Sequence, residues 1–250
     1  MTSLTDHRWR FIRSEGLSDG ATSEQRPNVW AIVVAAGTGS RFGADIPKQY
    51  LTLGHRRVLD HSLALMRRVC GDRVVLVVSA DRCAHPEPLA GVVVCGGATR
   101  TDSVRAGLAC VPTDARWVLV HDAARPLVPF AVVQRVLAAL ADGADGAVPG
   151  VALTDTVKVV GDGGVSVATP DRRTLRAIQT PQGFSAEVLR RVLVDGAEAT
   201  DDAALVEAAG GRVVVVAGDP LGRKITTNED LTWLAEMLSA LPGTGDGGVR

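Results

Sequence analysis

The stretch "VWAIVVAAGTGSRFGADIPKQY", residues 29–50, decides how the rest of the chain is read. An unbroken run of β-branched and small apolar residues stops at Gly37 and Gly39, and Arg41 and Lys48 follow. A continuous run of this kind suits a strand covered on both faces. Glycines placed after it let backbone amides approach a phosphate. Neither common phosphate signature is present, however. Counted from Gly37, a dinucleotide fingerprint needs glycine where Phe42 stands, and a P-loop needs Gly-Lys where Phe42 and Gly43 stand. What remains is a low-bulk turn whose amides can wrap a triphosphate, with Arg41 and Lys48 to neutralise it. A plain glycine turn carrying two solvated cations is the other reading.

The same Val-rich pattern recurs outward from this stretch, in "RVVLVVS", "GVVVCGG", "WVLVHDAA", "GAVPGV" and "RVVVVAG". Helix-length segments lie between the runs at 58–69, 100–111, 129–140, 185–193 and 200–210. Strand and helix in alternation imply βαβ units, a mostly parallel sheet, and ligands at the C-terminal ends of the strands. One segment, 155–175, breaks the rhythm: "TVKVV" and "VSVAT" joined by "GDGG" is the sequence of a β-hairpin. A lone two-stranded ribbon is marginal in water, so an arm of this kind either caps the site or packs on a second subunit. Residues 1–27 and 242–250 read as tails around one domain, 28–241, with the hairpin arm at 153–176.

At 250 residues and 46% hydrophobic, the chain is long enough for one sizeable α/β domain. A formal net charge of -1 argues against a nucleic-acid or membrane-surface binder, so any polyanion must be met by a local cluster. Apolar stretches are strand-sized, well short of the roughly 20 residues that span a bilayer, and no secretory leader is evident. Cys70, Cys83, Cys95 and Cys110 show no C-x-x-C pairing and read as free thiols of a cytoplasmic protein. Lysine stands only at 48, 158 and 224, in a chain that otherwise writes arginine. A lysine among arginines can mark a site that prefers a compact ammonium to a planar fork.

Three further stretches carry candidate chemistry. In "VLVHDAARPLV", Asp122 falls just past a buried run, where a carboxylate can help hold Mg²⁺ or accept hydrogen bonds from substrate hydroxyls, with Arg125 beside it. Asp122 as a turn cap paired to Arg125 is the alternative, and His121 reads as a structural strand-end residue. In "CGGATRTDSVRAGL", Gly96 and Gly97 allow a base to lie against the backbone, while Ser103 is either a base contact or part of a helix cap. In "GRKITTNEDLTWL", Thr227 and Asp230 have capping-box spacing, which leaves Lys224 without a structural role; Thr200 is open between cap and ligand.

Taken together, "AAGTGSRFGADIPKQY", "GGATRTDSV", "VHDAARP", "DTVK", "DRRTLRAIQTPQGF", "TDDAALVE" and "RKITTNEDL" occur in an order and spacing that resembles the 2-C-methyl-D-erythritol 4-phosphate cytidylyltransferase family, from about Val29 to Leu238. The resemblance implies a three-layer Rossmann-like nucleotidyltransferase fold, mostly parallel, with a projecting arm. It also implies CMP transfer from CTP to methylerythritol phosphate with Mg²⁺. By position it places Ala35, Ala36, Gly37 and Gly39 in the triphosphate loop, with Arg41, Lys48 and Lys224 as the catalytic cations. It places Gly96, Gly97 and Ser103 in the cytosine pocket, and Asp122, the metal residue, with Arg125 near the acceptor hydroxyls. Thr180, Thr200 and Lys224 fall at the acceptor phosphate, which Thr156 and Arg172 of a partner's arm would reach in a homodimer. Two other readings stay open: a cytidylyltransferase for another polyol phosphate such as ribitol phosphate, and a catalytically silent nucleotide binder.

Overall fold

The computed structural model describes residues 28–37, 46–194, 199 and 201–241. Both expected tails lie outside these residues, as do Gly39, Arg41 and Thr200. The opening apolar run forms β1 (Val29–Ala35), followed by a small ribbon of β2 (Thr52–Leu53) and β3 (Arg56–Arg57) that leads into α1 (Val58–Cys70). β4 (Val74–Val78) and β5 (Val92–Cys95) come next, then α2 (Arg100–Leu108), β6 (Trp117–Asp122), α3 (Phe130–Ala141) and β7 (Gly146–Ala152). The expected hairpin appears as β8 (Val159–Val160) and β9 (Ser166–Ala168), and is shorter than its sequence suggests. β10 (Arg176–Ile178), β11 (Gln182–Ser185), α4 (Ala186–Val192), α5 (Asp202–Ala208), β12 (Val213–Ala217) and α6 (Asn228–Ala240) complete the order.

Each of the six Val-rich runs is a strand of one sheet. β1 lies between β4 and β6, both parallel to it, and β5 continues beyond β4. Alternate residues of β1 explain the three layers. Val29, Ala31, Val33 and Ala35 join the core cluster that includes α1 and α3, while Ile32 joins the cluster with α2, α4 and α5. Both faces of the central strands are therefore covered by helices, which is why the runs are continuous rather than alternating. A third, smaller cluster around Leu53, Val58, Leu127, Ile225 and Leu234 seats α6 and the β2–β3 ribbon.

The antiparallel part of the sheet has no counterpart in the sequence reading. β11 is inserted between β6 and the start of β7, and β10 pairs with the end of β7; β12 runs parallel on that strand's other side. Continuing the Ile178–Gly150 register would put Gly183 opposite Asp145, but it lies opposite Ala147, so the two strands are out of step. The discontinuity falls at Gln179–Pro181, where the Thr180–Pro181 peptide is cis.

The thiol expectation needs correcting for two of the four cysteines. Cys83 and Cys95 are joined, with Cα atoms 5.2 Å apart across the end of β5 and the turn after β4. Their spacing of 12 residues, with no C-x-x-C pattern, hides a contact that only the sheet creates. Cys70 and Cys110 are free, and burial pushes the Cys70 thiol up to about 12, so it is inert packing. No described helix is long and apolar enough to cross a membrane.

Candidate functional site

The chain order places β4 and β5 on one side of β1, then returns to its other side as β6. In an open α/β sheet, the crevice beyond the strand ends at such a reversal is where ligands sit. A cavity of about 400 Å³ lies there, lined by residues 34–37 at the end of β1 and residues 122–124 at the end of β6. Its remaining walls include Lys48, Gly97, Arg100, Ser103 and Lys224.

Each wall is fixed by an identifiable contact. The loop after β1 is held by Gln49, whose buried amide Nε2 donates to the carbonyls of Ala35 at 2.7 Å and Gly37 at 3.0 Å. The same residue sits in a 3-10 turn, Lys48–Tyr50, so the hydrogen bonds that shape the glycine loop also place Lys48 beside it. A Cβ built on Gly37 would meet nothing within 4 Å, leaving the backbone there open to a ligand.

On the second wall, Thr99 caps α2 and forms a capping box with Asp102. Ser103 is thereby released from capping. Its hydroxyl donates to the Thr99 carbonyl at 3.0 Å and accepts from the Gly97 amide at 3.2 Å, pinning the glycine loop. Neither glycine can be replaced without movement: a Cβ on Gly96 would lie 2.5 Å from the Ala36 methyl, and one on Gly97 would lie 2.3 Å from Asp102 Cβ. Gly96 therefore supports the wall from behind, while Gly97 forms part of it.

Asp122, the last residue of β6, is the one carboxylate among the described residues of the lining. Its Oδ2 accepts from Lys224 Nζ at 2.8 Å, with Arg125 Nε at 3.6 Å, and its Oδ1 faces Arg100 Nε at 3.5 Å. Burial alone would raise its pKa; Lys224, Arg100 and Arg125 outweigh that and hold the carboxyl well below the usual range. Lys224 is itself anchored by its neighbour. The Ile225 amide donates to the Ala124 carbonyl at 2.8 Å, and its side chain is fully buried in the third cluster. Thr227 caps α6 with Asp230, as its spacing predicts.

The remaining candidates are placed differently. Arg125 does not line the cavity: its guanidinium donates to the carbonyls of Gly222 at 2.7 Å and Ile178 at 3.4 Å, bracing the floor. Thr180 is buried in the strand discontinuity, where its Oγ1 accepts the Asp122 amide at 3.0 Å and lies 2.9 Å from His121 Nδ1. It thus replaces a ladder hydrogen bond at the residue that matters most. His121 is completely buried, and desolvation lowers its pKa to about 4, so it is neutral. Thr156 and Arg172 are exposed on the arm and take no part in this chain's own cavity; Arg172 Nη1 donates to the Thr154 carbonyl.

Two residues were missed by sequence reading. Arg100 lines the cavity and donates from Nη1 to Asp202 Oδ2 at 2.8 Å. A signal existed: a cation at the first residue of a helix opposes the helix dipole and calls for an explanation. Asp202 gave none, because an acid at the start of a helix is ordinary.

For a metal, no group of three or more His, Cys, Asp or Glu among the described residues could hold one by itself. A single wall carboxylate does suit Mg²⁺ when substrate phosphates complete its shell, so the donor set fits an ion that enters with a triphosphate.

Comparison with known proteins identifies the family. The family model described as IspD, 2-C-methyl-D-erythritol 4-phosphate cytidylyltransferase, matches residues 29–239. The chain is 46% identical over 218 residues to the 2-C-methyl-D-erythritol 4-phosphate cytidylyltransferase of Nocardia farcinica, covering 84% of this chain and 94% of that one. It is 46% identical over 209 residues to the protein of the same name from Rhodococcus jostii, covering 81% and 92%. Among solved structures, the 2-C-methyl-D-erythritol 4-phosphate cytidylyltransferase of Thermus thermophilus superposes with a TM-score of 0.71 at 36% identity, covering 85% of this chain and 99% of that one.

Proposed function

The chain belongs to the 2-C-methyl-D-erythritol 4-phosphate cytidylyltransferase family, and from that membership we propose that Lys48 and Lys224 bring its two anionic substrates together at the β1–β6 crevice. The enzyme transfers CMP from CTP to 2-C-methyl-D-erythritol 4-phosphate, releasing pyrophosphate, in isoprenoid precursor synthesis. One observation carries the assignment of residues: the glycine loop with Lys48, the Gly97–Ser103 wall and the Asp122–Lys224 pair all open into a single cavity.

The chemistry follows from charge. An oxygen of the acceptor phosphate attacks the α-phosphorus of CTP, the bond from that phosphorus to the bridging oxygen breaks, and pyrophosphate leaves. The attacking phosphate is already ionised near neutral pH, so no general base is required. This is consistent with a neutral, buried His121 that takes no proton. The obstacle is repulsion between anions, and cations fixed before the reaction reduce it. In this reading Lys48 and Arg41 face the triphosphate, and Lys224, held by Asp122 and Ile225, faces the acceptor phosphate. Gly97 and Ser103 shape the base pocket. Arg125 and Thr180 keep Asp122 in place from below, and Thr200 adjoins the acceptor. Asp122 would hold Mg²⁺ together with the nucleotide, and that ion supplies charge neutralisation on the phosphates when bound.

The enzyme is a homodimer in this reading, with Thr156 and Arg172 of one protomer's arm serving the other's site. It works in the cytoplasm, where CTP is made. The deciding experiment is pyrophosphate release with methylerythritol phosphate and each of the four ribonucleoside triphosphates, with and without Mg²⁺. CTP with Mg²⁺ should turn over well above the others. No turnover with CTP, or equal turnover with ribitol phosphate as acceptor, overturns the reading.

A further inference from the structure

Arg100 has an environment that the transfer reaction, as described so far, does not use. It is the first residue of α2, yet its guanidinium reaches past that helix to two carboxylates on two other elements. Nη1 is 2.8 Å from Oδ2 of Asp202, the first residue of α5, and Nε is 3.5 Å from Oδ1 of Asp122 at the end of β6. Asp202 is 1% exposed, and burial raises its pKa despite Arg100. A carboxylate so placed is costly unless a cation meets it, and among the described residues Arg100 is the cation that does. The geometry is directional as well as electrostatic. Two differently placed acceptors are met by separate N–H groups of one rigid fork, which a lysine ammonium cannot reproduce.

We propose that Arg100 is a positioning residue for the transfer reaction: clamped by Asp202, it holds Oδ1 of Asp122 so that Oδ2 stays on Lys224. The base-loop helix α2, the carboxylate at the end of β6 and the helix α5 are thereby locked into one arrangement. This inference rests on the assignment of Asp122 and Lys224 to the acceptor side of the site. Arg100 acts through Asp122, so its loss disturbs the acceptor's approach, while the nucleotide contacts that do not run through Asp122, at Lys48 and the Gly97–Ser103 wall, are kept.

The test measures kcat, KM for methylerythritol phosphate, and Kd for CTP by calorimetry, in Arg100→Lys, Asp202→Asn, the double variant and Asp122→Asn. All are assayed well below each variant's thermal midpoint. Arg100→Lys should lower kcat/KM for the acceptor by roughly 10- to 100-fold, the scale of a small misplacement at a reacting centre. Its Kd for CTP, measured without added Mg²⁺ so that Asp122 carries no metal, should stay within about threefold of native. Asp202→Asn should lose about 10-fold, and the double variant should resemble Arg100→Lys alone, because both changes break one clamp. The inference is overturned if Arg100→Lys keeps native acceptor kcat/KM, if the two losses multiply, or if CTP binding weakens as much as turnover. Should Arg100→Lys fail to fold, Asp202→Asn decides by the same acceptor-versus-CTP split. Asp122→Asn separates the two levels of reading. If it is near native, the assignment of Asp122 fails; if it is crippled while Arg100→Lys is not, only the inference about Arg100 fails.

Discussion

The crevice at the ends of β1 and β6 and the ribbon of β8 and β9 are opposites in how they are held. In the crevice four charged groups are tied together across elements: Asp122 meets Lys224, Arg100 and Arg125. Arg100 in turn meets Asp202. Further contacts fix those partners in turn, with the Ile225 amide on the Ala124 carbonyl and Thr180 Oγ1 on the Asp122 amide. On the ribbon, Val159, Val160, Val165 and Val167 are 45–62% exposed, and Lys158 bonds only across the hairpin to Thr169 at 2.7 Å. A surface of four valines on a two-stranded ribbon has little apolar support among the described residues. One region is over-determined by the monomer, whereas the other is the part that the proposed homodimer would complete.

The largest effect should come from cutting the crevice's charges. Lys224→Ala, or Lys48→Ala, removes a cation from the reacting phosphates and should lower kcat by roughly 10²-fold or more. Pyrophosphate release reads this directly, and a near-normal kcat in either variant would take that lysine out of the reaction. A smaller but sharper test bears on the arm. If the proposed homodimer forms through the arm, replacing Val159, Val160, Val165 and Val167 with threonine or serine should convert it to a monomer in sedimentation velocity. CTP affinity should change by less than about threefold, because the crevice is built without the arm. A variant that remains dimeric would show that the arm is not the interface.

The smallest effect concerns stability rather than rate. His121 is packed against Thr180 and flanked by Asp122, which favours its protonated form, and Arg125, which opposes it; burial prevails and sets its pKa at about 4. The unfolded chain therefore takes up a proton near pH 6.5 that the folded chain refuses until about pH 4. Stability should fall with acid across that window, by on the order of 3 kcal/mol in total. Asp122, whose folded pKa is depressed, contributes stability that is lost only below about pH 4. Urea unfolding of the ligand-free enzyme at pH 7 and pH 4.5 measures the slope. His121→Asn should flatten it, and an unchanged slope would assign the acid sensitivity elsewhere.

How legible each feature was follows from how local its cause is. The six parallel strands are visible because a strand covered on both faces must be apolar at every position, and the helices are visible from their spacing between those runs. The tandem β10–β11 is not, since Gln179, Pro181 and Gln182 deny it an apolar run; its place between β6 and β7 is a tertiary outcome. At the site, Lys48, Asp122 and Lys224 stand out because each follows a strand or turn with no local reason for its charge. Gln49 does not, because the carbonyls it serves lie at Ala35 and Gly37 and become neighbours only when the loop folds back. Arg125 carries a structural role that its sequence position does not announce: it engages the Gly222 and Ile178 carbonyls, which come near only in the fold.

The bond between Cys83 and Cys95 ends β5 one residue before Gly96 and two before the glycine that helps wall the cavity. With the bond closed, that loop is fastened at its root to the turn after β4; with it open, the strand ladder and the Gly97–Ser103 hydrogen bond hold it. Enzyme prepared with a thiol reductant and enzyme prepared without one are therefore two different starting materials. Nucleotide affinities measured on them are comparable only when the oxidation state of this pair has been established by thiol titration.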